Sequence, residues 1–347
     1  MMIIGYDPGY GNSKAACLDA SGRLQTYHLP SVVGVGNTEL GLLDSALGCR
    51  RRRDEMPDET TFDQVTYLVG KNVANYARPV ERMDFMRLSD GPELKALFLT
   101  TLHHLLGDGQ HHDIRVMIGL PVEVMQDRKL ALSIRRDLRK WMIDQHDVTV
   151  NGTLCLLDIT RVEVMPQPAG SYFNWGMDDA GKWCKGASTL KDTIAICDCG
   201  FNTVDLFVLK AGNIVARYTN GSTLGMRRAA ELITDHIRQD HGVSLSLHEA
   251  DAFLHQKQPE LSTANGLIDL TALVNQARET VAAGVLQFTE RQWGNARRFR
   301  HVLFTGGGAE ILRDQLARAY PHGHVVASAV TANAAGLAKY GLRPLSK

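Results

Sequence analysis

The sequence predicts an α/β fold built from two related domains. An apolar strand followed by Asp-x-Gly and a strand–turn–strand pattern occurs at Asp7 and again at Asp198. The turn glycine Gly22 follows Asp7 by 15 positions in the first copy, and Gly212 follows Asp198 by 14 positions in the second. With 347 residues, the chain is long enough for about two domains, each with its own core. The repeat therefore indicates two domains that open in the same way.

The composition is that of an ordinary globular protein with balanced charge. Apolar residues make up 44% and charged residues 22% of the chain, and Lys+Arg and Asp+Glu number 38 each. This balance predicts neither direct nucleic acid binding nor attraction to an anionic membrane. No apolar run approaches the roughly 18 residues of a membrane span, and the N-terminus lacks the pattern of a signal peptide. We therefore expect a cytoplasmic protein with reduced cysteines.

The first half of the chain is predicted to form a sheet that begins with a hairpin and carries two helices. Strands are expected at residues 2–6, 13–18, 23–29, 114–120 and 154–164, and helices at 93–106 and 127–145. Residues 31–75 look irregular, and we expect them to form a small subdomain or a long surface loop.

The second half is predicted to repeat the opening arrangement and to add longer helices. Strands are expected at 193–197, 204–209, 214–219 and 302–304, and helices at 224–239, 270–291 and 331–340. The glycine triplet Gly306-Gly307-Gly308 is expected to open a further helix that runs through residue 319. The segment Pro166-Gln167-Pro168 interrupts the pattern between the two halves.

The opening loop fits neither of the two commonest phosphate-binding motifs. A Walker loop needs Gly-x-x-x-x-Gly-Lys-Ser/Thr, whereas Lys14 follows Ser13 here and has no hydroxyl residue after it. A dinucleotide fingerprint needs three glycines in a strand-to-helix turn, whereas Gly9-x-Gly11 lacks the third glycine and leads into a strand. Both motifs are therefore excluded.

What remains is a hairpin whose glycines let successive backbone amides point at an anion. Asp7, at the strand end, would approach a phosphate only through a divalent cation, and hydrated Mg²⁺ suits that role. Lys14 would neutralise a phosphate oxygen. The second hairpin offers the same parts, with Asp198 for the metal, Gly200 to Thr203 for amides, and the Thr203 hydroxyl. Facing each other, the two hairpins would clamp one triphosphate.

Five motifs, in family order, resemble those of the actin, heat-shock chaperone and hexokinase superfamily, and within it the actin-like proteins. They are the first phosphate loop at 7–14 (DPGYGNSK), the first connecting segment at 166–170 (PQPAG), the second phosphate loop at 198–205 (DCGFNTVD), the adenosine segment at 304–310 (FTGGGAE) and the second connecting helix at 332–336 (ANAAG). The residues of these motifs and the compact length of the chain are most similar to those of the ParM/StbA plasmid-segregation proteins and of their archaeal actin-like relatives.

The resemblance implies the actin-like ATPase fold, with two ribonuclease-H-like domains and the nucleotide cleft between them. Domain I would comprise 1–165 plus 331–347, with its small subdomain at 31–75. Domain II would comprise 166–330, with its small subdomain at 231–300. The resemblance also implies binding of ATP or ADP with Mg²⁺, slow hydrolysis and polymerisation of the protein with itself into filaments. A DNA-binding adaptor is the further partner implied for plasmid segregation.

The resemblance also assigns roles to individual residues. Asp7 and Asp198 would hold the water-coordinated Mg²⁺, Gln167 would orient the attacking water, and Asp198 would help to accept its proton. The implied nucleotide-binding residues are Gly9, Tyr10, Gly11, Asn12, Ser13, Lys14, Gly200, Phe201, Asn202, Thr203, Gly221, Gly225, Gly306, Gly307, Gly308 and Glu310. For the segment from Gly221 to Gly225, capping of the next helix by Ser222 or Thr223 is an equally good interpretation. Some plasmid-segregation members carry glutamate where Gln167 stands, which leaves the subfamily open.

Two other functions stay open at this point. One is a small-molecule kinase of the same superfamily, although neither a substrate-binding insertion nor a further catalytic carboxylate is evident. The other is a nucleotide switch that does not polymerise. The sequence does not decide between ATP and GTP, and filament interfaces have no motif that one sequence can reveal.

Three further groups of residues have simpler interpretations. The run Arg50–Arg53, followed by acidic residues, is expected to be a solvated loop rather than a contact to DNA or to a neighbouring filament subunit. Cys197 and Cys199 lie on a predicted strand and are expected in the core. The pairs His103-His104 and His111-His112 are expected on the surface or in loops, because neighbouring residues point to different sides of a helix.

Overall fold

The computed structural model describes residues 1–39, 55–80, 82 and 84–343, so the run Arg50–Arg53 lies outside the described residues. In these ranges the chain forms two α/β units, each built on one large sheet. We call them the N-terminal unit and the C-terminal unit. No helix of the described part is long and apolar enough to cross a membrane.

The N-terminal unit is built on a mixed sheet that has nine strands in the described part of the chain. The strands are β1 (Met2–Pro8), β2 (Asn12–Leu18), β3 (Leu24–Pro30), β4 (Val33–Val35), β5 (Asp58–Phe62), β6 (Val65–Val69), β7 (Gly109–Leu120), β8 (Gln145–Val150) and β9 (Thr153–Pro166). Their order in the sheet is β3-β2-β1-β7-β9-β8-β5-β6-β4. The pairs β1–β7 and β7–β9 are parallel, whereas β1, β2 and β3 form an antiparallel meander.

The C-terminal unit repeats this arrangement on a smaller scale. Its strands are β10 (Thr193–Cys199), β11 (Val204–Lys210), β12 (Asn213–Ile214), β13 (Asn220–Ser222), β14 (Glu260–Thr263), β15 (Gly266–Asp269), β16 (His301–Thr305) and β17 (Gly323–Val325). The main sheet has the order β12-β11-β10-β16-β17, with β13 also paired to β11, while β14 and β15 form a separate hairpin. As in the first unit, the loop-bearing strand β10 is antiparallel to β11 and parallel to β16.

The helices pack on these sheets and between the units. They are α1 (Pro92–Leu106), α2 (Val122–Gln126), α3 (Arg128–Met142), α4 (Gln167–Gly176), α5 (Arg227–His241), α6 (Leu247–Leu254), α7 (Thr271–Trp293), α8 (Gly307–Ile311), α9 (Arg313–Ala319) and α10 (Ala332–Gly341). Helix α1 begins with Pro92 at its first position and ends before Gly107, whose φ of 82° stops the helix.

The units are joined by α4 and α10, which cross at very short range. A Cβ on Gly170 would lie 2.2 Å from the Asn333 carbonyl oxygen, and a Cβ on Gly336 would lie 1.7 Å from the Gly170 carbonyl oxygen. Both glycines are therefore needed, because the backbones touch where other residues would place a side chain. This crossing, which we call the hinge, brings Asn333 into the space between the units.

Most predicted strands and helices are confirmed, with differences at their ends. The prediction that residues 31–75 are irregular was wrong for the described part, since β4, β5 and β6 extend the first sheet. Asp63 and Gln64, with φ of 49° and 62°, form the two-residue turn between β5 and β6. The flanking Thr, Val and Tyr residues carried the strand signal.

Two predictions in the second half were also wrong. The strand expected at 214–219 is broken into β12, a 3₁₀ turn at Ala216–Tyr218 and β13. Here the Thr219 hydroxyl accepts a hydrogen bond from Val208 N at 3.1 Å and so replaces a backbone partner in the ladder. The single helix expected to run through residue 319 is divided into α8 and α9 at Leu312, where ψ is 15°.

The interpretation of the cysteine pair is confirmed, whereas that of the histidines was wrong in part. Cys197 and Cys199 are both buried in the C-terminal unit. His103, however, is only 8% exposed, with Nε2 3.3 Å from Asp108 Oδ1, and burial lowers the pKa of its imidazole. His104 contacts Asp58 at 2.9 Å. Because α1 is covered on this side by β3 and β5, even its last turn faces protein.

Candidate functional site

The two repeated loops lie at the ends of β1 and β10 and face each other across a cavity of about 680 Å³, which includes space open to solvent. It is lined by Asp7, Gly9, Tyr10, Gly11, Asn12, Lys14, Gln167, Asp198, Gly200, Phe201, Asn202, Thr203, Met226, Asp251, His255, Gly307, Gly308, Ile311 and Val330. Most of the predicted site residues are thus brought to one place, and both units contribute to it.

Five predicted residues do not line the cavity. They are Ser13, Gly221, Gly225, Gly306 and Glu310. Ser13 was expected at a nucleotide, but it is fully buried and its hydroxyl is bonded to Tyr6 at 3.0 Å and to Thr101 at 2.8 Å. On a strand, alternate side chains face opposite sides, and Ser13 points into the core below the loop.

The three glycines of this group support the loops from behind. A Cβ on Gly225 would lie 2.3 Å from the Phe201 carbonyl oxygen, and one on Gly306 would lie 2.5 Å from Asp198 Oδ1. One on Gly221 would lie 2.8 Å from Glu123 N, at the contact with the N-terminal unit. Each glycine permits a close approach that fixes the second loop, and none of them forms the cavity wall.

The floor of the cavity holds two buried carboxylates, one from each unit. Asp7 is 1% exposed and accepts hydrogen bonds from Lys14 Nζ at 3.0 Å and from Gln167 Nε2 at 2.7 Å. Asp198 is 5% exposed and accepts one from Asn333 Nδ2 at 2.6 Å. Asn333 Nδ2 also lies 3.4 Å from Asp7 Oδ2. A single amide from the hinge therefore bridges the two acids.

The two acids differ in how well their charge is compensated. Asp7 has a lysine partner, whereas the hydrogen bond found for Asp198 in the described part of the chain comes from the neutral amide of Asn333. Burial, and next the charge of Asp7, raise the pKa of Asp198 to about 6. The site is therefore short of positive charge beside Asp198.

A third acid, Asp205, lies beneath the second loop. It is the cross-strand partner of Asp198, and it accepts hydrogen bonds from Val122 N at 2.8 Å and from the Thr203 hydroxyl at 3.0 Å. Val122 opens α2 of the N-terminal unit, so this carboxyl group joins the units. Burial, and next the charge of Asp198, raise the pKa of Asp205 to about 8.

We expect Asp205→Asn to stabilise the protein more at pH 8 than at pH 5. The folded-state pKa lies above the ordinary value of 3.8, so the folded protein holds this proton more tightly and loses stability as pH rises from about 4 to about 8. Asparagine keeps an acceptor without the buried charge, and the gain at pH 8 should be on the order of 5 kcal/mol, which is what a pKa shift of this size implies. Urea unfolding at both pH values measures it.

The control is Asp147→Asn, because Asp147 is an exposed acid on β8. It should shift the urea midpoint equally, and little, at the two pH values. If Asp205→Asn behaved in the same way, or destabilised the protein at pH 8, the account of Asp205 as a buried and costly charge would be wrong.

The second loop also bridges the units through an aromatic side chain. Phe201 packs against the cores of both units, and a Cβ on Gly11 would lie 2.8 Å from Phe201 Cβ. On its other face, Phe201 stacks on His248 of α6, with ring centroids 5.5 Å apart. Because Gly11 has no side chain, the first phosphate loop can contact Phe201 of the second phosphate loop directly.

The donors around the cavity fit a nucleotide with a hydrated divalent cation. Among the described residues, the two buried acids share one lysine, Lys14, and the glycines Gly9, Gly11, Gly200 and Gly308 line the cavity around them. In the described residues, no three or more of the His, Cys, Asp and Glu side chains are grouped as metal ligands. Two carboxylates alone would hold Mg²⁺ through its bound water molecules.

Sequence reasoning missed several residues of the site. Asp205 and Asn333 stand inside the predicted motifs but were given no role, and the residues missed altogether are Met226, Asp251, His255, Ile311 and Val330. The sequence could have placed Asp251 and His255 on or next to a helix. Ser246 and Glu249 have the spacing of a capping box, and in the structure they form one at the start of α6. For Asn333 the signal was a polar residue in a run of alanine and glycine.

Comparisons with known proteins agree with this geometry. A family model for the N-terminal domain of actin-like proteins matches residues 5–170, and one for the C-terminal domain of the archaeal MreB-like actin homologue matches residues 196–318. No curated protein matches the chain in sequence.

Solved structures of the same fold are similar over the whole length. A chain from the structure of a 15-stranded ParM filament from Clostridium botulinum is 19% identical in sequence, with 98% of each chain covered and a TM-score of 0.76. A non-polymerisable quadruple mutant of pCBH ParM is 18% identical, with 98% of each chain covered and the same TM-score of 0.76. An archaeal actin homologue in complex with ADP is 16% identical, with 98% of this chain and 99% of that chain covered and a TM-score of 0.72.

These likenesses confirm the predicted α/β fold of two actin-like domains. The family models match, between them, most of the chain and fall on either side of the first connecting helix, α4. The chain therefore belongs to the actin-like proteins.

Proposed function

We propose that this protein is an ATPase that binds Mg-ATP between its two units, hydrolyses it slowly and polymerises into filaments. The observation that carries the proposal is the meeting of Asp7, Gln167, Asp198 and Asn333, which come from both units and both connecting helices. The fold shared with ParM filaments and with an ADP-bound archaeal actin homologue supports it. The proposal takes 1–165 plus 331–347 as one domain and 166–330 as the other.

In this proposal each residue has a defined part in the reaction. Bound Mg-ATP supplies the phosphoryl group that is transferred to water. Asp7 and Asp198 hold the water molecules of the cation, and Lys14 neutralises phosphate charge. Gln167, whose amide is bonded to Asp7 at 2.7 Å, orients the attacking water. Asp198, buried on the floor of the cavity, also helps to accept the proton.

We expect Gln167→Ala to lower the rate of hydrolysis about 100-fold and to leave nucleotide affinity nearly unchanged. The amide orients water and makes no bond that holds phosphate in this proposal, so its loss acts on kcat. Phosphate release under saturating ATP and equilibrium titration with ADP measure the two quantities. Gln276→Ala, on the exposed face of α7, is the matched control and should change neither. A fall in affinity equal to the fall in rate would instead make Gln167 a binding residue.

Filament formation is tested by light scattering and electron microscopy in Mg²⁺ with ATP, with ADP and without nucleotide. Scattering and filaments that depend on ATP would support the proposal. ATP turnover without filaments would favour a small-molecule kinase or a nucleotide switch of the same superfamily. No turnover at all would remove the ATPase assignment.

We further propose a cytoplasmic role in plasmid segregation, with a DNA-binding adaptor between filament and plasmid. The support is the shared fold with ParM proteins and the balanced charge, which gives the chain no basic surface excess for direct DNA binding. Loss of a plasmid from dividing cells when the gene is removed, and its rescue by the intact protein, would test this role.

A further inference from the structure

The C-terminal unit carries an exposed basic patch on the edge of its sheet that is opposite the phosphate loop. We define this patch as Lys210, Arg217, Arg297, Arg298 and Arg300, all of which are exposed. Lys210 ends β11, and the arginines of 297–300 directly precede β16. Because β16 is parallel and β11 antiparallel to β10, these residues lie at the amino end of β10, whereas the phosphate loop follows its carboxyl end. The basic patch therefore lies away from the nucleotide cleft.

The members of the basic patch are close to one another in space. Lys210 and Arg298 line one cavity of about 700 Å³, which includes space open to solvent. Arg217 and Arg298 both lie over the ring of Tyr218, with their Cζ atoms 5.5 and 5.6 Å from its centroid. The backbone N of Arg300 donates a hydrogen bond of 3.0 Å to the first residue of β10. The patch thus concentrates positive charge on one small surface.

The cations of the basic patch have no acidic partner among the described residues. None of the five forms an ion pair with a carboxylate in that part of the chain. Asp192, which precedes β10 on the same edge, is already paired with His301, whose Nε2 lies 3.1 Å from its Oδ2. Like charges gathered on one face repel each other, and a surface of opposite charge that docks there relieves the repulsion.

The N-terminal unit has a groove of the opposite charge. The groove has a volume of about 1150 Å³, which includes space open to solvent, and it lies between α1, the end of α3, β8 and the turn from β5 to β6. Its acids are Asp63, Asp144 and Asp147, which are exposed and form no ion pair with any residue that the structure describes. Lys95 also lines it, with Nζ 5.7 Å from the centroid of the Trp141 ring. We call this surface the acidic groove, because its acids outnumber its lysine.

Two observations point to another copy of this chain as the partner of the basic patch. Lys+Arg and Asp+Glu number 38 each, so the patch is not part of a general positive excess of the kind that attracts polyanions. Each surface also has an exposed apolar side chain beside its charges, namely Ile214, 55% exposed, at the basic patch and Ile143, 41% exposed, next to Asp144. Apolar contacts rimmed by charges are typical of protein–protein interfaces, whereas protein–DNA interfaces are more polar.

We propose that the basic patch of one molecule docks on the acidic groove of another copy of this chain. This contact rests on the proposed function, since it joins neighbouring subunits of the proposed filament. The two surfaces belong to different units, so the contact is head-to-tail, and a head-to-tail contact that does not close into a ring produces an open filament. Because salt screens exposed charges, assembly weakens as the ionic strength rises.

Reversal of charge on each surface, separately and together, tests this pairing. The basic-patch variant carries Lys210→Glu, Arg217→Glu and Arg298→Glu, and the acidic-groove variant carries Asp144→Lys and Asp147→Lys. Either variant alone brings like charges together, so its critical concentration for assembly in Mg²⁺ and ATP should rise at least about 10-fold. Pelleting and electron microscopy measure assembly, while thermal melts and titration with ADP should show folded variants with unchanged nucleotide affinity.

Mixing the two variants should restore filaments. In an equimolar mixture, each reversed surface meets a reversed surface of the opposite charge, and the two unchanged surfaces also match. The mixture, and a single chain that carries all five substitutions, should therefore assemble at a concentration at least about 3-fold lower than either variant alone. A general loss of surface quality would not be repaired by further substitutions.

The matched control is Arg128→Glu with Lys129→Glu at the exposed start of α3. These residues are also neighbouring cations, but Lys129 lies about 18 Å along the helix from Trp141 of the acidic groove. Their reversal should change the critical concentration less than about 2-fold.

Several results would overturn the pairing. Wild-type-like assembly of either variant would do so, as would a mixture that assembles no better than its components. Loss of duplex DNA binding by the basic-patch variant, with its assembly intact, would give that surface to a polyanion instead. All these results leave the proposed filament in place, whereas a wild type without ATP-dependent filaments overturns the proposed function and this contact with it.

Discussion

Asp198→Asn is expected to lower ATP hydrolysis by at least about 100-fold and, at the same time, to make the nucleotide-free protein more stable at pH 8. The first effect follows from the role proposed for this carboxylate, which would hold the hydrated cation and help to accept the proton. The second follows from burial, because Asp198 is ionised at pH 8 although its folded-state pKa is about 6. That ionisation costs the folded state about 3 kcal/mol relative to an ordinary aspartate, and asparagine removes the charge.

The sign of the stability effect depends on pH in a definite way. A folded-state pKa above the ordinary 3.8 means that stability falls as pH rises from about 4 to about 6 and stays low above that range. Phosphate release measures the rate, and urea unfolding without nucleotide or Mg²⁺ measures the stability. Asp198→Ala should lose activity equally but gain less stability, because it leaves the Asn333 amide without its 2.6 Å partner. Retained hydrolysis, or a lower stability of Asp198→Asn at pH 8, would contradict the account of the site.

Gly336→Ala is expected to destabilise the protein by about 3 kcal/mol or more. The added methyl carbon would lie 1.7 Å from the Gly170 carbonyl oxygen and 2.5 Å from Asn174 N, and both are backbone atoms of α4 that cannot rotate away. The two connecting helices must separate, and Asn333 then moves relative to Asp7 and Asp198. Urea unfolding and nucleotide affinity should therefore both be affected.

Gly284→Ala on α7 is the matched control, because it is also a helical glycine but no heavy atom lies within 4 Å of its added Cβ. It should stabilise the protein by about 0.5–1 kcal/mol through helix propensity alone. A Gly336→Ala variant as stable as the wild type would show that the hinge helices have room to separate, contrary to their packing here.

Most of the fold could be predicted from local sequence patterns. Strands β1 to β3 and β10 to β11 were predictable because apolar runs bounded by glycine turns leave few alternatives. The hairpin of β5 and β6 was missed because it follows a long polar stretch, and the break of the strand after Ile214 was missed because it depends on the Thr219 side chain. Effects of a side chain on its neighbouring backbone are invisible to periodicity.

The candidate site was predictable only where a motif carries it. Asp7, Asp198 and Gln167 stand in recognisable sequence motifs, and the structure brings them together. The roles of Asn333 and Asp205 depend on how the two units pack together. Each side chain forms a hydrogen bond with a residue that is far away in the sequence, and a local pattern does not reveal such a bond. Asp251 was missed because α6 has only eight residues, too few for a clear helical period.

The sharing of Phe201 by both cores has a thermal consequence. Opening the cleft would carry this ring from an apolar contact into water, and exposure of apolar surface raises the heat capacity of the open state. The attraction that keeps the ring in place weakens on cooling, while the hydrogen bonds of Asp7 and Asp198 do not share that dependence. Cold therefore loosens the contact through Phe201 selectively, and the ligand-free cleft opens more readily in a chilled sample than in a warm one.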